Sequence, residues 1–512
     1  MDYASPQLDC ENLTCPGSCD LDTMLERNLY KIVWIVIGAG GLFRLAFLGT
    51  RQLSTEELMQ AVAARSHSMG ELLDCLRGGI FLAAPLDHFI QKWLVFILGE
   101  SAWALRLHAV LFGTLAIWIF YRIARFLFEA RVAVYSTILF AFFPLAYRYS
   151  QEGQPYALFL FGSLLAYYLL LRIIAGGAGG WLAWTRLALL LVLLLYSSYL
   201  GVTVLISQLA GLLLFNWWKP AQNSQPEISQ GEERSIHLHP AGRRLFLLYA
   251  GAAVVALLVF LPWAYFIWHK PSVAGLSEIL SAKLPVRIFK ELGDGSYAAS
   301  IVLLVGVVAG IRALRRHRQQ NLLLWLLTWG CLSVLPVVAF EFWVGLPFAI
   351  HDVLHCTPPL LLIAGYGLSY LGEQMTLLDR LPYRISSPAV GYAALLVLLS
   401  IGIAQSHWRS EPVDWKGTAA YLEETARPGD AITMVKLHGL LEYYSPSLAH
   451  FRSYDLDPGL GRLASASVNR RFVVCLNGMP LDPSLAFQNS AKKSSAWKKI
   501  QRRGFTIFVR EK

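Results

Sequence analysis

The sequence predicts an α-helical polytopic membrane protein of about eleven transmembrane helices, with a small α/β domain at its C-terminal end. Of its 512 residues, 55% are hydrophobic and only 15% are charged, whereas a soluble domain carries about 25% charged residues. Apolar runs long enough to cross a bilayer recur up to residue 406. From residue 407 onward the pattern changes to a helix and short β-like segments, which indicates a separate folded unit.

The apolar runs define the membrane part of the chain. We place the spans at 31–50, 102–127, 131–148, 156–175, 181–198, 200–217, 244–267, 298–314, 322–345, 353–372 and 388–406. Basic residues cluster in loops that share one side if the N-terminus is inside, so that side is predicted to be cytoplasmic. These residues are Arg122, Arg125, Arg131, Arg243, Arg244, Arg312, Arg315, Arg316 and Arg318. An odd number of spans then places the C-terminal unit outside.

Three segments follow from these limits: a cytoplasmic 1–29, a membrane core 30–406 and an extracytoplasmic α/β domain 407–512. The first apolar run follows a polar leader, so it is interpreted as a retained span rather than a cleaved signal peptide. The net charge of +10 lies largely in short loops that face lipid headgroups, and no nucleic-acid-binding module is present. Cys10, Cys15 and Cys19 are interpreted as free cytoplasmic thiols, with a metal site as the alternative.

The predicted external loop 51–101 carries an acidic pair, Glu56 and Glu57. Ser54 and Glu57 have the spacing of a capping box, which predicts a helix from Ser54 to Arg65. A second helix, Leu86–Leu98, is too short to span and is predicted to lie along the interface, with Asp87 and His88 on its polar face. A carboxylate beside a bilayer is costly to desolvate, so the pair indicates a membrane-embedded active site.

In the C-terminal unit, the sequence predicts one helix and three strands. The helix runs from Asp414 to Thr425. The strands are Ala431–Val435, Phe472–Leu476 and Phe505–Val509. The polar loop from Lys219 to Arg244 is predicted to lack a fixed structure.

Several segments in this order resemble integral-membrane glycosyltransferases of the GT-C superfamily, in the bacterial branch of protein mannosyltransferase-like and aminoarabinose transferase-like enzymes. The segments are STEELMQAVAAR, APLDHFIQKWLVFILGESAWALRLHAVLFGTLAIWIFYRIARFLF, YSQEGQPYAL, GLPFAIHDVLHCTPPLLLIAGYGL and DWKGTAAYLEETARPGD. The resemblance implies a multi-pass protein of the bacterial inner membrane. Such an enzyme takes a sugar from a polyprenyl-phosphate carrier at the outer face, inverts its anomeric centre and passes it to a lipid, glycan or protein.

The chain departs from the branch at four places. Glu56 stands where the branch usually has Asp, and Asp87-His88 stand where aromatic residues are common. Gly153-Gln154 replace part of a common SQEARMY run, including its Arg. His351-Asp352 replace a usual Arg-Tyr or Arg-His pair.

The implied reaction assigns roles to the candidate residues. Glu56 is the predicted general base, and Glu57 is either a second site acid or only the helix cap. The phosphate needs cations or oriented donors. The candidate phosphate contacts are Arg106, Arg148, Lys270 and His351. The candidates for other substrate contacts are Asp87, His88, Gln151, Glu152 and Asp352. A divalent cation held by Glu56, Glu57, Glu152, His351 and Asp352 is left open.

Two other functions stay open. The first is a transporter or flippase of lipid-linked sugars, although no internal repeat of the kind typical of transporters is evident. The second is a non-catalytic binding protein of the same fold. The sequence contains no Walker A loop, no GxGxxG opening a helix after a strand and no HExxH motif, which argues against nucleotide-driven transport and zinc proteolysis.

Overall fold

The structure, a computed structural model, describes residues 16–78, 84–176, 179–217, 242–268, 284–344, 349–375, 387–407, 413–434, 437–453, 456–457, 462–463, 469–477, 491 and 497–511. The chain is mainly helical in these ranges. In chain order the α-helices are α1 (Pro16–Leu45), α2 (Thr55–Ala64), α3 (Met69–Gly78), α4 (Pro85–Leu98), α5 (Ala102–Leu127), α6 (Ala130–Phe142), α7 (Pro144–Tyr149), α8 (Tyr156–Ala175), α9 (Trp181–Ser197), α10 (Gly201–Trp217), α11 (Arg243–Trp268), α12 (Leu284–Leu292), α13 (Tyr297–Arg316), α14 (Gln320–Val344), α15 (Pro358–Met375), α16 (Ser387–His407), α17 (Trp415–Thr425) and α18 (His438–Tyr444).

The long apolar helices form a membrane bundle. Within the described residues, six stretches are long and apolar enough to cross a bilayer: Asn28–Leu45, Ala102–Leu127, Tyr156–Ala175, Arg243–Phe266, Tyr297–Arg316 and Gln320–Ala339. Four shorter apolar stretches accompany them: Ala130–Phe142, Trp181–Ser197, Gly201–Leu214 and Leu395–Ala404. The multi-pass helical architecture is therefore confirmed, while the count of eleven spans stays a prediction. The polar loop that was predicted between Lys219 and Arg244 lies largely outside the described residues.

The predicted third span, 131–148, consists of two helices. Helix α6 ends at Phe142 and α7 begins at Pro144, with Phe143 extended between them at a ψ of 124°. The proline ring disfavours a helical conformation in the residue before it and provides no N–H for the helix ladder. Short helix α7 therefore starts in a new direction and carries Arg148 and Tyr149 at its end.

The last part of the bundle holds a short 3-10 helix, Ile350–Cys356, in place. Helix α15 follows it and packs closely against α13. The two backbones approach so closely at Gly310 that a Cβ there would lie 2.0 Å from the carbonyl oxygen of Ile363. In the 3-10 helix, His355 Nε2 lies 2.8 Å from the hydroxyl of Thr203 in α10. These contacts fix the segment that carries His351 and Asp352.

Three helices lie between α1 and α5, where the sequence predicted two. Helices α2 and α4 occupy the predicted positions, and the capping box of α2 is present: Glu57 N–H donates to Ser54 Oγ, and Ser54 N–H donates to the Glu57 carboxylate. Helix α3 was not predicted. Its ten residues, MGELLDCLRG, are fewer than the window of about 11–18 residues over which helical periodicity is assessed, so its signal in the sequence is weak.

The C-terminal part contains a five-stranded mixed sheet. Its strands are β1 (Ala431–Thr433), β2 (Arg452–Ser453), β5 (Arg470–Leu476), β6 (Lys498–Arg502) and β7 (Phe505–Glu511), while β3 (Leu456–Asp457) and β4 (Arg462–Leu463) form a separate antiparallel pair. The main sheet has the order β2-β1-β5-β7-β6, with β1 parallel to both neighbours and β7 antiparallel to β5 and β6. All three strands that the sequence predicted belong to this sheet. Helix α17 also forms as predicted, with Asp414 as its N-cap.

Helix α2 lies between the bundle and the C-terminal sheet. Its residues Leu58 and Ala61 belong to a buried apolar cluster that also contains Trp415, Phe472 and Phe505. Ala63 of the same helix packs into the core of the membrane bundle. The helix that carries the acidic pair therefore packs against both the membrane bundle and the C-terminal sheet.

Candidate active site at the start of helix α2

The two acids of the pair have opposite environments. Glu57 is 2% exposed, and its side chain points into the structure. Glu56 is exposed at the first turn of α2. Because adjacent residues of a helix face different directions, one acid of the pair can be structural while the other faces a substrate.

The buried Glu57 is bound on all sides. Its carboxylate makes a two-pronged ion pair with Arg106, at 2.7 Å from Nε and 2.8 Å from Nη2. It also accepts hydrogen bonds from the backbone N–H of Gly153 at 2.7 Å and of Ser54 at 2.9 Å. Burial raises the pKa of Glu57, but the Arg106 charge and these hydrogen bonds outweigh it, so the pKa lies below its ordinary value.

Arg106 is buried and uses its whole guanidinium to hold the chain after α1. Besides its bonds to Glu57, it donates to the carbonyl oxygens of Leu48, Arg51 and Gln52 at 2.7, 3.1 and 3.1 Å. A guanidinium has five N–H groups, and these contacts occupy them. The prediction that Arg106 binds a lipid phosphate is therefore corrected: it joins α5 to α2 and to the loop before it.

Glu56 faces a group of aromatic side chains. The hydroxyl of Tyr156, at the start of α8, donates to Glu56 Oε2 at 3.1 Å. The imidazole of His351 lies against the ring of Tyr156, with centroids 4.4 Å apart, and Tyr149 packs edge-on against both rings. These contacts bring His351 to the side of the acid, although the two residues are far apart in the chain.

Arg148 is held between two acids. Its Nε donates to Glu152 at 2.8 Å, and its Nη1 donates to Asp294 at 2.9 Å. Its side chain is 28% exposed. Part of the Arg148 guanidinium therefore stays accessible, but two carboxylates, Glu152 and Asp294, already pair with its charge. The sequence prediction did not include Asp294, because its partner lies 146 residues away in the chain.

Glu152 is a buried carboxyl in this group. Burial raises the pKa of Glu152 to about 6, and the nearby Glu57 adds to the rise, while the Arg148 charge opposes it. Its described hydrogen bond goes to Arg148. Glu152 thus holds Arg148 in place beside the site, and a hydrogen bond from Glu152 to a substrate hydroxyl stays a prediction.

Gln151 is a helix cap. Its Nε2 donates to the carbonyl oxygens of Arg44 at 3.0 Å and Ala46 at 2.9 Å, at the end of α1. The last carbonyls of a helix have no partner inside the helix, so a buried side chain that satisfies them stabilises the end of α1. The predicted contact between Gln151 and a sugar or acceptor is therefore corrected to this structural role.

Asp87 and His88 point into the protein rather than toward a substrate. Asp87 is fully buried, 3.0 Å from His108 Nε2 of α5, and accepts a bond from Gln91. Burial lowers the pKa of His88, whose Nδ1 lies 3.2 Å from the carbonyl oxygen of Ala84. The exposed face of α4 is apolar instead, with Trp93 at 56% and Phe96 at 79% exposure.

The predicted substrate contacts at Asp87 and His88 are therefore corrected, because both side chains are buried. The membrane explains why this face of α4 points inward. Lipid takes the apolar face of an interfacial helix, so the polar face of α4 turns inward. Gln91 there donates to the carbonyl oxygen of Gly153 at 2.9 Å, which ties α4 to the loop that also binds Glu57.

Arg51 is a further cation near the site. It is half-buried in the loop before α2, and no hydrogen bond or ion pair of its side chain is found in the described structure. It lies close enough to Glu152 for its charge to oppose the rise in the pKa of that carboxyl. Sequence reasoning missed Arg51, and its position five residues before the acidic pair was the available signal.

The remaining candidates have mixed outcomes. Asp352 lies 3.7 Å from His351 Nε2 within the same 3-10 helix. Lys270 lies outside the described residues. Among the residues that are described, no three His, Cys, Asp or Glu side chains are grouped so that they could hold a metal ion. Glu57 in particular is occupied by Arg106, so the five predicted ligands do not form one site.

Comparisons with known proteins agree with the resemblance drawn from the sequence. Residues 83–228 match the model of the dolichyl-phosphate-mannose-protein mannosyltransferase family. No curated protein matches the chain by sequence. The fold is similar to that of ArnT from Cupriavidus metallidurans in the apo state, with a TM-score of 0.60 at 13% identity over 93% of this chain and 97% of that chain.

Two structures with a bound lipid carrier are also similar. ArnT from Cupriavidus metallidurans bound to undecaprenyl phosphate has a TM-score of 0.55 at 12% identity, covering 93% of this chain and 97% of that one. The archaeal oligosaccharyltransferase AglB from Archaeoglobus fulgidus, in complex with an inhibitory peptide and a dolichol-phosphate, has a TM-score of 0.52 at 12% identity, covering 86% and 69%. The chain therefore has the GT-C fold, and the suspected resemblance is confirmed.

Proposed function

We propose that this protein is an inverting glycosyltransferase that moves a sugar from a polyprenyl-phosphate carrier to an acceptor, with Glu56 as the general base. The observation that carries the proposal is the separation of the acidic pair into a buried, charge-neutralised Glu57 and an exposed Glu56. The GT-C fold and the carriers bound to the similar proteins support the donor class. The acceptor class stays open between a lipid, a glycan and a protein.

The proposed step is a single displacement. An acceptor hydroxyl or amine attacks the anomeric carbon, the bond from that carbon to the phosphate oxygen breaks, and the proton of the acceptor passes to Glu56. The polyprenyl phosphate leaves with the bonding electron pair. One displacement inverts the anomeric centre, whereas retention would need a second carboxylate as nucleophile. Glu57, the adjacent carboxylate, is unsuited to that role because its oxygens already bind Arg106 and two backbone N–H groups.

The preorganisation of Glu56 supports its role as base. The clamp of Arg106 on Glu57 and on three backbone carbonyls fixes the start of α2. The hydroxyl of Tyr156 then orients one carboxylate oxygen, Oε2, which leaves Oε1 for the acceptor proton. A positioned base of this kind contributes about 10²–10⁴-fold to a rate.

We assign the phosphate contact to Arg51, with Arg148 beside it. The leaving phosphate gains negative charge and needs cations with N–H groups to spare. Arg106 has none left, and Arg148 uses two donors on Glu152 and Asp294. The Arg51 guanidinium lies next to this group and has no hydrogen-bond or ion-pair partner among the described residues. His351 stays a second candidate, because its ring stands between Tyr156 and Tyr149 on the same side.

The orientation in the membrane is part of the proposal. Loops rich in arginine predict that the end of the bundle opposite α2 is cytoplasmic. The site would then face the outside of a bacterial inner membrane, the side at which the resemblance implies that the carrier-bound sugar is used. The exposed apolar face of α4 would lie in the outer interface beside the site.

The test uses the purified full-length chain in lipid nanodiscs with radiolabelled donors and a membrane lipid extract as the source of acceptors. We expect transfer from polyprenyl-phosphate sugars and none from nucleotide sugars. Glu56→Gln should abolish transfer, whereas Glu100→Gln, which removes an exposed acid paired with Arg65 in the same loop, should keep it. Equal transfer by Glu56→Gln and wild type would contradict the assignment of the base. Binding of the donor without transfer to any acceptor would favour transport or a non-catalytic function.

A further inference from the structure

The segment that leads into Glu56 is attached to the C-terminal sheet domain by three hydrogen bonds. Gln52 Nε2 donates to the carbonyl oxygen of Val413 at 2.9 Å, and the N–H of Leu53 donates to the hydroxyl of Tyr444 at 3.2 Å. The indole N–H of Trp415 donates to the hydroxyl of Thr55 at 2.9 Å. Thr55 is the residue directly before Glu56, so the last of these bonds is one residue away from the proposed base.

Trp415 is itself rigidly held. It is fully buried at the first position of α17, and its ring packs edge-on against Phe505 of β7, with centroids 4.9 Å apart. The Asp414 side chain caps the same helix through the N–H of Gly417, and the N–H of Asp414 donates to the carbonyl oxygen of Arg503 beside β7. A buried indole N–H needs a hydrogen-bond acceptor, and Thr55 provides it from the other part of the structure.

Apolar packing joins the same two parts. Leu53, Leu58 and Ala61 are buried in one cluster with Leu422 and Leu441 of the C-terminal domain. Farther along α2, Arg65 stacks over the ring of Tyr443 at 3.9 Å. The outer side of α2 therefore has no solvent layer between it and α17 or α18, and movement of the domain would carry α2 with it.

We propose that the C-terminal domain is a working part of the active site, and that Trp415 is a positioning residue that fixes Glu56 through Thr55. This inference rests on the proposed function of Glu56. On the inner side, Arg106 holds Glu57. On the outer side, Trp415 holds Thr55. Together the two contacts fix the backbone on both sides of Glu56 and thereby the direction of its carboxylate. The membrane bundle and the C-terminal domain therefore both position the base.

The test compares Trp415→Phe, Thr55→Val and the double variant in nanodiscs. Phenylalanine keeps the ring against Phe505, and valine keeps the shape of threonine, so each variant removes one side of the hydrogen bond. We expect each to lower kcat roughly three- to tenfold, the range that one hydrogen bond can supply. The KM for the donor should stay within about twofold, since no donor contact is removed. The double variant should be no slower than the slower single variant, because both changes remove the same bond.

Ser447→Ala is the matched control. It removes a hydroxyl within the C-terminal domain whose described partner is Glu423, and it should leave kcat unchanged. Unchanged kcat in both Trp415→Phe and Thr55→Val would overturn the inference, as would equal losses in the control. Should Trp415→Phe not fold, Thr55→Val alone decides by the same kcat criterion.

A second measurement does not depend on activity. Hydrogen–deuterium exchange of the peptide covering residues 52–64 should become faster in Trp415→Phe and Thr55→Val, with exchange in β5 and β7 unchanged. If the wild type transfers no sugar, the proposed function fails, yet this measurement still decides whether Trp415 holds the start of α2. Unchanged exchange in 52–64 would overturn the positioning role.

Discussion

Replacing Glu57 by glutamine should damage the structure, whereas replacing Glu56 should leave it intact. Glu57→Gln removes the counter-charge of the buried Arg106 and puts an amide N–H₂ where an oxygen now accepts hydrogen bonds. Breaking a buried ion pair by removing one partner costs about 3–5 kcal/mol. Glu56 is exposed, with one described hydrogen bond to Tyr156, so Glu56→Gln should cost about 0.5–1.5 kcal/mol at most.

These energies convert into melting temperatures. An unfolding entropy of about 2.1 cal/mol/K per residue over 512 residues gives about 1 kcal/mol per degree. Glu57→Gln should therefore lower Tm by about 3–5 °C, and Glu56→Gln by about 1 °C. Glu100→Gln provides a control, because it also breaks an arginine–glutamate pair, at 2.8 Å but 48% exposed on the acid. Exposed pairs contribute about 0–1 kcal/mol.

The assay is thermal unfolding of the purified variants in one detergent at pH 7.5, read by intrinsic fluorescence. Activity alone does not separate the two acids, because loosening α2 through Glu57 would also displace Glu56. A structural role for Glu57 would be contradicted if Glu57→Gln melted within 1 °C of wild type, or if Glu56→Gln were the less stable of the two.

Three further predictions concern the groups around the acids. Arg51→Gln should raise the KM for the donor roughly tenfold or more, the worth of a charge-assisted hydrogen bond, whereas Arg122→Gln, which removes an exposed bond to Tyr168, should not. The raised pKa of Glu152, about 6 against an ordinary 4.5, means that the folded state binds the proton more tightly, so stability should fall by about 2 kcal/mol in total as pH rises from well below 4.5 to well above 6. Glu152→Gln should flatten that part of the curve of Tm against pH; an unchanged curve would disprove the assignment. Gly153→Ala should cost about 1–3 kcal/mol, since its Cβ would lie 3.2 Å from the Leu105 carbonyl oxygen, and a neutral result by thermal unfolding would show that the loop can yield.

Local sequence patterns predicted the structural features that depend on residues close together in the chain. The capping box at Ser54 and Glu57 involves residues three apart, so it was visible in the sequence and is confirmed. The same holds for α4, α17 and the three strands of the C-terminal sheet. The resemblance to GT-C enzymes also rested on ordered local segments, and it predicted the fold correctly.

The partners of the charged residues could not be predicted in this way. Arg106 was interpreted as a phosphate contact because it lies near a helix end, but its partner Glu57 is 49 residues earlier in the chain. Arg148 binds Asp294, which is farther away still. Which acid of the pair is free depends on these distant contacts, so the sequence left the role of Glu57 open and the fold decides it.

The orientation of the polar face of α4 could not be predicted from the sequence for a different reason. Amphipathic periodicity predicts two faces but not which solvent each one meets. In water the polar face would be outside. Beside a membrane the apolar face meets lipid, and Asp87 and Gln91 turn toward α5 and the loop at Gly153.

As the proposed base, Glu56 takes part in the chemical step rather than in binding or folding. The most direct measurement is the single-turnover rate of sugar loss from a bound polyprenyl-phosphate donor, with the donor Kd measured on the same samples of wild type and Glu56→Gln. If Glu56 is the base, the rate for Glu56→Gln should be at least about 10²-fold lower, with Kd and Tm close to those of wild type. A rate equal to that of wild type, or a loss explained entirely by weaker donor binding, would contradict this role.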